Sequence, residues 1–430
     1  MSINNCAGVK FYESKIGSYK GVTPRITLET KRLANTAFTP GAKIDITFKK
    51  NKIIITISND GERQITSRRG KQVLDIKSME IANAIKAVQF VKVKVSNAII
   101  EITPLKEALE QNRAKNKVRT NKRTYNIVDI FCSGGTLAKC FDDNKKFNIL
   151  AGIDHNDKKL ETYQLNFPFA ETWCGDIANV EWERYKDAAI VTATPSCRPY
   201  TSLNQTGKKN GAIKESAPEG DNTAQLVQGI NEIRPALFML EEVPEYVNSY
   251  SYLILKSVLL KMGYFITEKI LAGQDFGALS PRKRLCLIAS IKEGFTFLPI
   301  QPSLKKRVKD ILEVPFKLRN WRRFENFERW SASQVQKGRN FTMCTVDENA
   351  TKVAHPTTRY YGRQYSTILK NKDHGNDFFS PRELARIAEL PDNYQLPTNQ
   401  NDAAFIIGDG VVYSAFSYVA KCIEEHLKMK

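Results

Sequence analysis

The sequence predicts an α/β chain, with a doubly wound, Rossmann-like domain, a basic insertion and a mostly β domain ahead of them. Three observations predict it. Short apolar runs rich in β-branched residues (NIVDIF, FNILAGID, AAIVTAT, ALFMLEEV and RLCLIASI) alternate with helical stretches such as AQLVQGINEIR and SYLILKSVLLKMG. That alternation is the signature of a largely parallel sheet covered by helices on both faces. Residues 1–105 instead read as strands broken by turns. The net charge of +19 is also unevenly spread.

The N-terminal domain, residues 1–105, opens with PRITLETKRLANTAFTPGAKIDITFKKNKIIITI, a strand, a short helix, a Pro40-Gly41 turn and two more strands. A second copy follows. Leu33-Ala34-Asn35 recurs as Ile81-Ala82-Asn83, and Asn51-Lys52-Ile53-Ile54 recurs as Asn97-Ala98-Ile99-Ile100. The reading is a small tandem β module. Residues 106–123, KEALEQNRAKNKVRTNKR, read as a helix running into a basic linker. The doubly wound domain then spans 124–290, and such sheets bind ligands at the carboxyl ends of their strands. Residues 291–378 break the alternation. NWRRFENFERW, GRNFT and TRYYGRQYS interleave arginine with aromatic rings, a pattern that touches phosphates and stacks on bases, or else an irregular insertion with its own core. Residues 379–430 return to helices.

Composition narrows the function. Residues 1–123 hold 25 Lys/Arg against 10 Asp/Glu, or +15, and residues 291–378 hold 17 against 9, or +8. The remainder is 19 − 15 − 8 = −4. Two basic parts beside a slightly acidic core fit a polyanionic partner such as nucleic acid, although a well-solvated surface fits too. No run approaches the ~20 apolar residues of a membrane span, and the start lacks an apolar leader. Eight scattered cysteines and four dispersed histidines argue for reduced thiols in a cytoplasm and against a metal site.

Candidate functional residues follow the apolar runs. Asp129-Ile130-Phe131-Cys132-Ser133-Gly134-Gly135 makes a glycine-containing turn before a helix, where a cofactor can approach the backbone. Asp154 ends the next run, beside His155, and suits a ribose diol; Asp176 ends the third, before Ile177, and suits an adenine amino group. Each acid also suits a helix cap. Cys197, in TATPSCRPYTS with Ser196 before it, is a loop cysteine at a strand end, either a nucleophile or an inert thiol. Glu241 and Glu242 end the run ALFML, and Arg282 and Arg284 alternate in SPRKRLCLIAS, so both arginines share a face.

In this order, from Ile127 to the C-terminus, these segments resemble the cytosine-5 DNA methyltransferase family. DIFCSGG is similar to the family's cofactor loop, with Phe131, Ser133 and Gly135 at its ring and turn positions. TPSCRPYTS resembles the nucleophile loop, LEEVPEY the Glu-Asn-Val motif, and DFGALSPRKR the Gln-x-Arg-x-Arg stretch. SPRELARIAELPDNY and GDGVVYSAFSYVA resemble the last two motifs, which puts Asp409 and Gly410 where the family has Asn-Ser. Ser133 stands for a glycine, Ser196 for a proline, Arg198 for a glutamine, Glu242 for an asparagine and Ser280 for a glutamine. The resemblance is thus to a divergent member. The N-terminal module resembles the swapped-hairpin DNA-binding domains of transition-state regulators.

The resemblance implies S-adenosyl-L-methionine as cofactor, bound by Phe131, Ser133, Gly135, Asp154, His155, Asp176, Ile177, Ser196, Asp409 and Gly410. It implies Cys197 as nucleophile, Glu241 as catalytic acid, Arg282 and Arg284 as partners of the base, and 291–378 as the target-recognition region. It implies a flipped cytosine in duplex DNA, and a bacterial or phage-infected cell with a cognate restriction endonuclease as partner. A tRNA cytosine-5 methyltransferase, and a DNA-binding regulator with an inactive methylase core, stay open as alternatives.

Overall fold

The computed structural model describes residues 9–85, 88–105, 110, 114, 117, 124–200, 222–301, 303–336, 344–362 and 367–428. The chain forms two compact units, Met1–Arg113 and Ala114–Lys430. The break falls inside the stretch read as a linker. Ala114 and Lys117 are buried in the second unit, and Lys117 Nζ donates to the carbonyls of Ala188, Ile233 and Arg234. That part of 106–123 is therefore an anchor, because its ammonium satisfies carbonyls that a helix end leaves open.

The first unit is an interlaced tandem repeat. Its first copy holds β1 (Lys10–Lys15), β2 (Gly17–Tyr19), β3 (Thr23–Glu29), α1 (Thr30–Leu33), β4 (Lys43–Lys49) and β5 (Lys52–Ile57). Its second holds β6 (Arg63–Gln64), β7 (Thr66–Arg68), β8 (Lys71–Lys77), α2 (Glu80–Ile85), β9 (Phe90–Val95) and β10 (Ile99–Pro104). Equivalent strands pair with each other across the copies, β3 with β8 and β5 with β10, while β1 pairs with β9 and β6 with β4. The register places a pseudo-twofold axis between Thr27 and Asp75, and again between Ile54 and Glu101. Each copy contributes alternate residues (Ile26, Leu28, Ile53 and Ile55; Leu74, Ile76, Ile100 and Ile102) to one shared core. Neither copy encloses that core alone.

The register corrects one sequence match. Lys50-Asn51 and Asn97-Ala98 are the equivalent two-residue turns, so Ile53 corresponds to Ile100 rather than Ile99. Sequence matching slipped by one position, which would exchange the buried and exposed faces: Ile53 and Ile100 are buried, whereas Ile99 is exposed.

In the second unit, a seven-stranded sheet runs in the order β13-β12-β11-β14-β15-β17-β16. The strands are β11 (Tyr125–Ile130), β12 (Phe147–Asp154), β13 (Glu171–Cys174), β14 (Ile190–Ala193), β15 (Leu237–Glu242), β16 (Phe265–Ala272) and β17 (Lys283–Ser290). The first five are parallel, and β17 runs antiparallel between β15 and β16. β14 and β15 are buried throughout because helices cover both faces, which is why they read as unbroken apolar runs. The covering helices are α3 (Thr136–Asp142), α4 (Asp157–Asn166), α5 (Thr223–Ile233) and α6 (Tyr250–Lys261). The order reverses between β11 and β14, which opens a crevice at their carboxyl ends.

Residues 291–378 add α7 (Glu325–Gln336) and a small sheet of β18 (Thr345–Val346), β19 (Ile368–Asn371) and β20 (Gly375–Asp377). The chain returns through α8 (Pro381–Ile387), α9 (Gln400–Asp409) and α10 (Tyr413–Lys428). The sequence SPRE starts α8 by a capping box: Ser380 Oγ accepts from Glu383 N, and the Glu383 carboxylate accepts from Ser380 N. Among the described residues no single helix is long and apolar enough to cross a membrane.

Candidate active site

Every candidate residue from the sequence lies at one edge of the seven-stranded sheet. The turn after β11, the end of β12, the loop after β14 and the end of β15 are carboxyl ends of parallel strands. Arg282 and Arg284 join them because β17 runs the other way, so its start meets their ends.

The turn after β11 is held in an unusual backbone shape. Phe131, Ser133 and Gly135 all have positive φ, at 59°, 49° and 83°. Gly135 precedes α3, and a Cβ there would lie 2.4 Å from the Phe167 ring, so the position needs glycine twice over. Ser133 N donates to Asp154 Oδ2 (3.0 Å), and Asn156 N donates to Asp154 Oδ1 (3.0 Å). Ser133 Oγ donates to Asp409 Oδ2 (2.9 Å), tying the turn to the end of α9. Gly410 follows, packed so closely that a Cβ would lie 2.7 Å from Thr136 Oγ1. Asp176 caps the turn Ile177–Asn179 through Ala178 N, so its capping role is real. Ile177 is buried, and His155 is exposed. Asp129, wholly enclosed, accepts from Thr192 Oγ1 (2.6 Å); burial lifts its carboxyl to about 7.

The second cluster surrounds Cys197. Glu241 and Glu242 are buried rather than solvated, at 6% and 1% exposure. Glu241 Oε1 meets Arg284 Nε at 2.7 Å. Glu242 Oε2 accepts from Val243 N, and its carboxyl is held well above the usual range by burial and by Glu241. Burial and Glu242 lift the Cys197 thiol to about 11, against the pull of Arg284 and Arg282. Burial and Arg284 bring Arg282 down to about 9, and among the described residues its enclosed Nε has no hydrogen-bond partner. An unpaired buried guanidinium N–H is costly, so it marks a place for an acceptor. Beside the loop, Pro195, Ser196, Tyr200 and Tyr246 line a small cleft.

A thiol, a buried acid, two arginines and a glycine-containing turn with acids on neighbouring strands are thus in one crevice. The family model for the C-5 cytosine-specific DNA methylase matches residues 125–425, which spans both clusters. The chain belongs to that family. Among relatives, the methylase is 24% identical to the type II methyltransferase M.SsoII of Shigella sonnei over 70% of this chain and 80% of that one. It is 22% identical to the tRNA (cytosine(38)-C(5))-methyltransferase of Schizosaccharomyces pombe over 65% and 90%. Its fold is similar to that of the S. pombe Dnmt2 methyltransferase, with a TM-score of 0.56, 18% identity and coverage of 71% and 100%. A methyltransferase of Entamoeba histolytica, EhMeth, gives 0.58, 16%, 72% and 100%. The family match begins after the tandem β unit.

In the methylase, the rings of 291–378 do not fit the base-stacking expectation where they are described. Tyr360 is 1% exposed and donates to Thr367 O; Tyr361 donates to Phe379 O; Trp321 packs edge-on against Phe316. These rings join a core that the insertion shares with α8 and α9, and the neighbouring Arg322 and Arg323 stay exposed. GRNFT and the end of TRYYGRQYS lie largely outside the described residues. Sequence reading also missed two participants. His355 accepts from Ser280 Oγ through Nδ1 (2.9 Å) and donates from Nε2 to Ile407 O (3.2 Å); burial and the two arginines keep it neutral. Lys159 Nζ donates to Asp409 Oδ2 (2.8 Å). Both contacts join distant segments, and no local motif signals them.

Proposed function

We propose that the methylase transfers a methyl group to C5 of a cytosine flipped out of duplex DNA, with Cys197 adding to C6 of the base. The support is the gathering of the Cys197 loop, the buried Glu241–Arg284 pair and the turn after β11 in one crevice. C5 of cytosine is a poor nucleophile. Addition of the Cys197 thiolate at C6 gives C5 enamine character. Glu241, whose carboxyl burial raises against the pull of Arg284 and Arg282, shares a proton with N3. The unpaired Nε of Arg282 receives the base O2, and Arg284 holds Glu241 in place. C5 takes the methyl, loses its proton, and Cys197 leaves as thiolate.

The methyl donor implied by the family is S-adenosyl-L-methionine, which supplies an electrophilic methyl on its sulfonium. The residues fit it. Asp154 ends β12 and Asp176 follows β13, Gly135 has the positive φ of the turn, and among the described residues no donor reaches Asp409 Oδ1. Phe131, Ser133, Gly135, Asp154, His155, Asp176, Ile177, Ser196, Asp409 and Gly410 form the proposed cofactor set. Target choice belongs to 291–378, through exposed arginines more than rings. A cognate restriction endonuclease is the proposed biological partner.

The tandem β unit is proposed to hold DNA on its four-stranded sheet, β2-β3-β8-β7. Arg25, Arg68 and Lys77 gather there around the single carboxylate of Asp75 at the pseudo-twofold axis. The sheet's two hairpins carry equivalent basic turns, Lys20-Gly21 and Arg69-Gly70, each with positive φ at both residues. The register sets these turns on opposite ends of the sheet, roughly 30–35 Å apart at about 3.3 Å per strand residue. One turn of duplex is about 34 Å.

The deciding experiment uses a DNA duplex carrying 5-fluorocytosine at the mapped target. After methyl transfer C5 holds fluorine where a proton must leave, so elimination stalls and a covalent adduct accumulates. The adduct is expected on a denaturing gel only with S-adenosylmethionine, and not with Cys197→Ser. An enzyme that methylates but never forms it would sink the covalent mechanism. An adduct on tRNA and not on DNA would move the substrate to RNA, the substrate class that the S. pombe tRNA methyltransferase's name carries.

A further inference from the structure

Two of the methylase's departures from its family pattern are physically one feature. Ser133, in place of a glycine, and Asp409, in place of an asparagine, are joined by a 2.9 Å hydrogen bond. Lys159 completes the group with its 2.8 Å bond to the same Asp409 oxygen. The three residues come from the turn after β11, from α4 and from the end of α9. Lys159 lies in the first turn of α4, the helix that follows Asp154 at the end of β12, and its backbone N–H is fixed by the Asn156 side chain that caps α4.

The group is only partly closed to solvent. The Lys159 side chain is 14% exposed, while Asp409 keeps 34%. Burial opposes both charges, yet each holds the other charged: Lys159 is raised above its ordinary value by Asp409 and Asp154, and Asp409 is lowered by Lys159 and Ser133. Capacity remains on both sides. Both bonds to Asp409 use Oδ2, and among the described residues none donates to Oδ1. Of three ammonium donors, Lys159 uses one, and its charge also faces the Phe405 ring at 5.0 Å.

Its location selects the ligand. Asp409 is also felt electrostatically at Cys197, Glu241 and Arg282, so it lies on the side of the crevice where the methyl is transferred. Asp154 lies on the other side of Ser133, bonded to its backbone. A sulfonium nucleoside has three branches. The methyl must face Cys197 and the base, and the ribose faces Asp154, so the amino-acid branch is left toward Ser133, Asp409 and Lys159. That branch is a zwitterion, with a carboxylate and an ammonium on one carbon.

We propose that Lys159 and Asp409 are a receptor for the amino-acid end of the cofactor, Lys159 taking its α-carboxylate and Asp409 its α-ammonium, with Ser133 fixing the Asp409 carboxylate. The proposal rests on the cofactor reading above, adds Lys159 to its residues and gives Asp409 the opposite-charge role beside it. An ion pair with unused donors and acceptors is complementary to a zwitterion, which reproduces the same pairing with the charges reversed. Loss of either charge unbalances the site and also strands its partner in a poorly solvated place.

The test is calorimetric binding to the full chain of S-adenosylhomocysteine, its analogue lacking the α-amino group, and 5′-methylthioadenosine, which lacks the amino acid. Wild type is expected to prefer S-adenosylhomocysteine over both. Lys159→Gln is expected to weaken S-adenosylhomocysteine about ten- to a hundredfold, the range for hydrogen bonds to charged groups, and to leave methylthioadenosine within about twofold. Asp409→Asn is expected to erase the preference for the α-amino group. Wild type that binds none of the three would overturn the cofactor reading itself. Equal binding of all three, or equal loss of S-adenosylhomocysteine and methylthioadenosine in Lys159→Gln, would leave that reading standing and overturn the receptor, making the pair a structural clasp.

Discussion

Glu242 takes the asparagine position of the family pattern, and its enclosed carboxyl is the largest charge-bearing neighbour acting against the Cys197 thiolate. The sign follows from its raised acidity. Burial and Glu241 defer ionisation of the Glu242 carboxyl to higher pH, and once ionised it pushes the thiol further up. Removing the carboxylate therefore lets the thiolate form at lower pH. In Glu242→Gln the midpoint of Cys197 alkylation by iodoacetamide, followed by peptide mass spectrometry across pH, is expected to fall by about one pH unit. A midpoint that stays or rises would show that Arg282 and Arg284 alone set the thiol. At this scale Cys197, Glu241, Arg282 and Arg284 were legible because each lies inside a short ordered motif. Lys159 and His355 were not. Their partners, Asp409 and Ile407, lie 250 and 52 residues away, and nothing within a local window records such a contact.

Elements were legible where burial imposes a pattern. Parallel strands covered on both faces must be apolar at every position, so β14 and β15 stood out as runs. The tandem repeat was legible as recurrence, but its register was not, since a two-residue turn fixes register by geometry rather than by residue identity. The insertion misled for another reason: an aromatic ring beside an arginine reads the same whether it faces a base or a small core. Arg319 is what fastens that core. Its guanidinium, 6% exposed, bonds Asp377, Glu383 and the Phe378 carbonyl, joining β20 to α8. Arg319→Met would leave Glu383 enclosed without its cation. A loss of about 3 kcal/mol in unfolding free energy is expected by urea denaturation, the low end for breaking a buried pair because Glu313 N and Ser380 N still donate to Glu383. Arg319→Lys should recover only part, since one ammonium cannot replace a planar fork. A loss under about 1 kcal/mol would show that the tie is dispensable.

At the scale of the molecule, charge and fold divide the chain in related ways. The +15 of residues 1–123 belongs mainly to the interlaced repeat and its exit, and the family match begins at 125. A repeat whose two copies share one core gives a single chain the pseudo-twofold basic surface that would otherwise need a dimer. If the four-stranded sheet is that surface, its turn cations touch phosphates and release counterions, each contact adding about 0.9 to the slope of log affinity against log salt. Lys20→Asn with Arg69→Asn removes both turn charges without strain, because asparagine accepts the positive φ of 51° and 50° found there. In full-length Cys197→Ser protein, which binds without turnover, this pair is expected to reduce the salt slope by about 2. Lys43→Gln with Lys49→Gln, on exposed positions of β4 in the other sheet, should leave the slope nearly unchanged. Asp75→Asn should move the two properties in opposite directions. It frees Arg25, Arg68 and Lys77 to meet phosphate and raises DNA affinity, while the unit loses the stability that this carboxylate contributes above its lowered pKa and that acid would otherwise remove. Burial pushes the Asp75 carboxyl up and Arg25 and Lys77 outweigh it, so wild-type stability should fall as pH drops through the carboxylate range and Asp75→Asn should be flatter there. Equal salt slopes for the two double variants, with no gain from Asp75→Asn, would take the DNA surface off this sheet and leave the repeat a packing module.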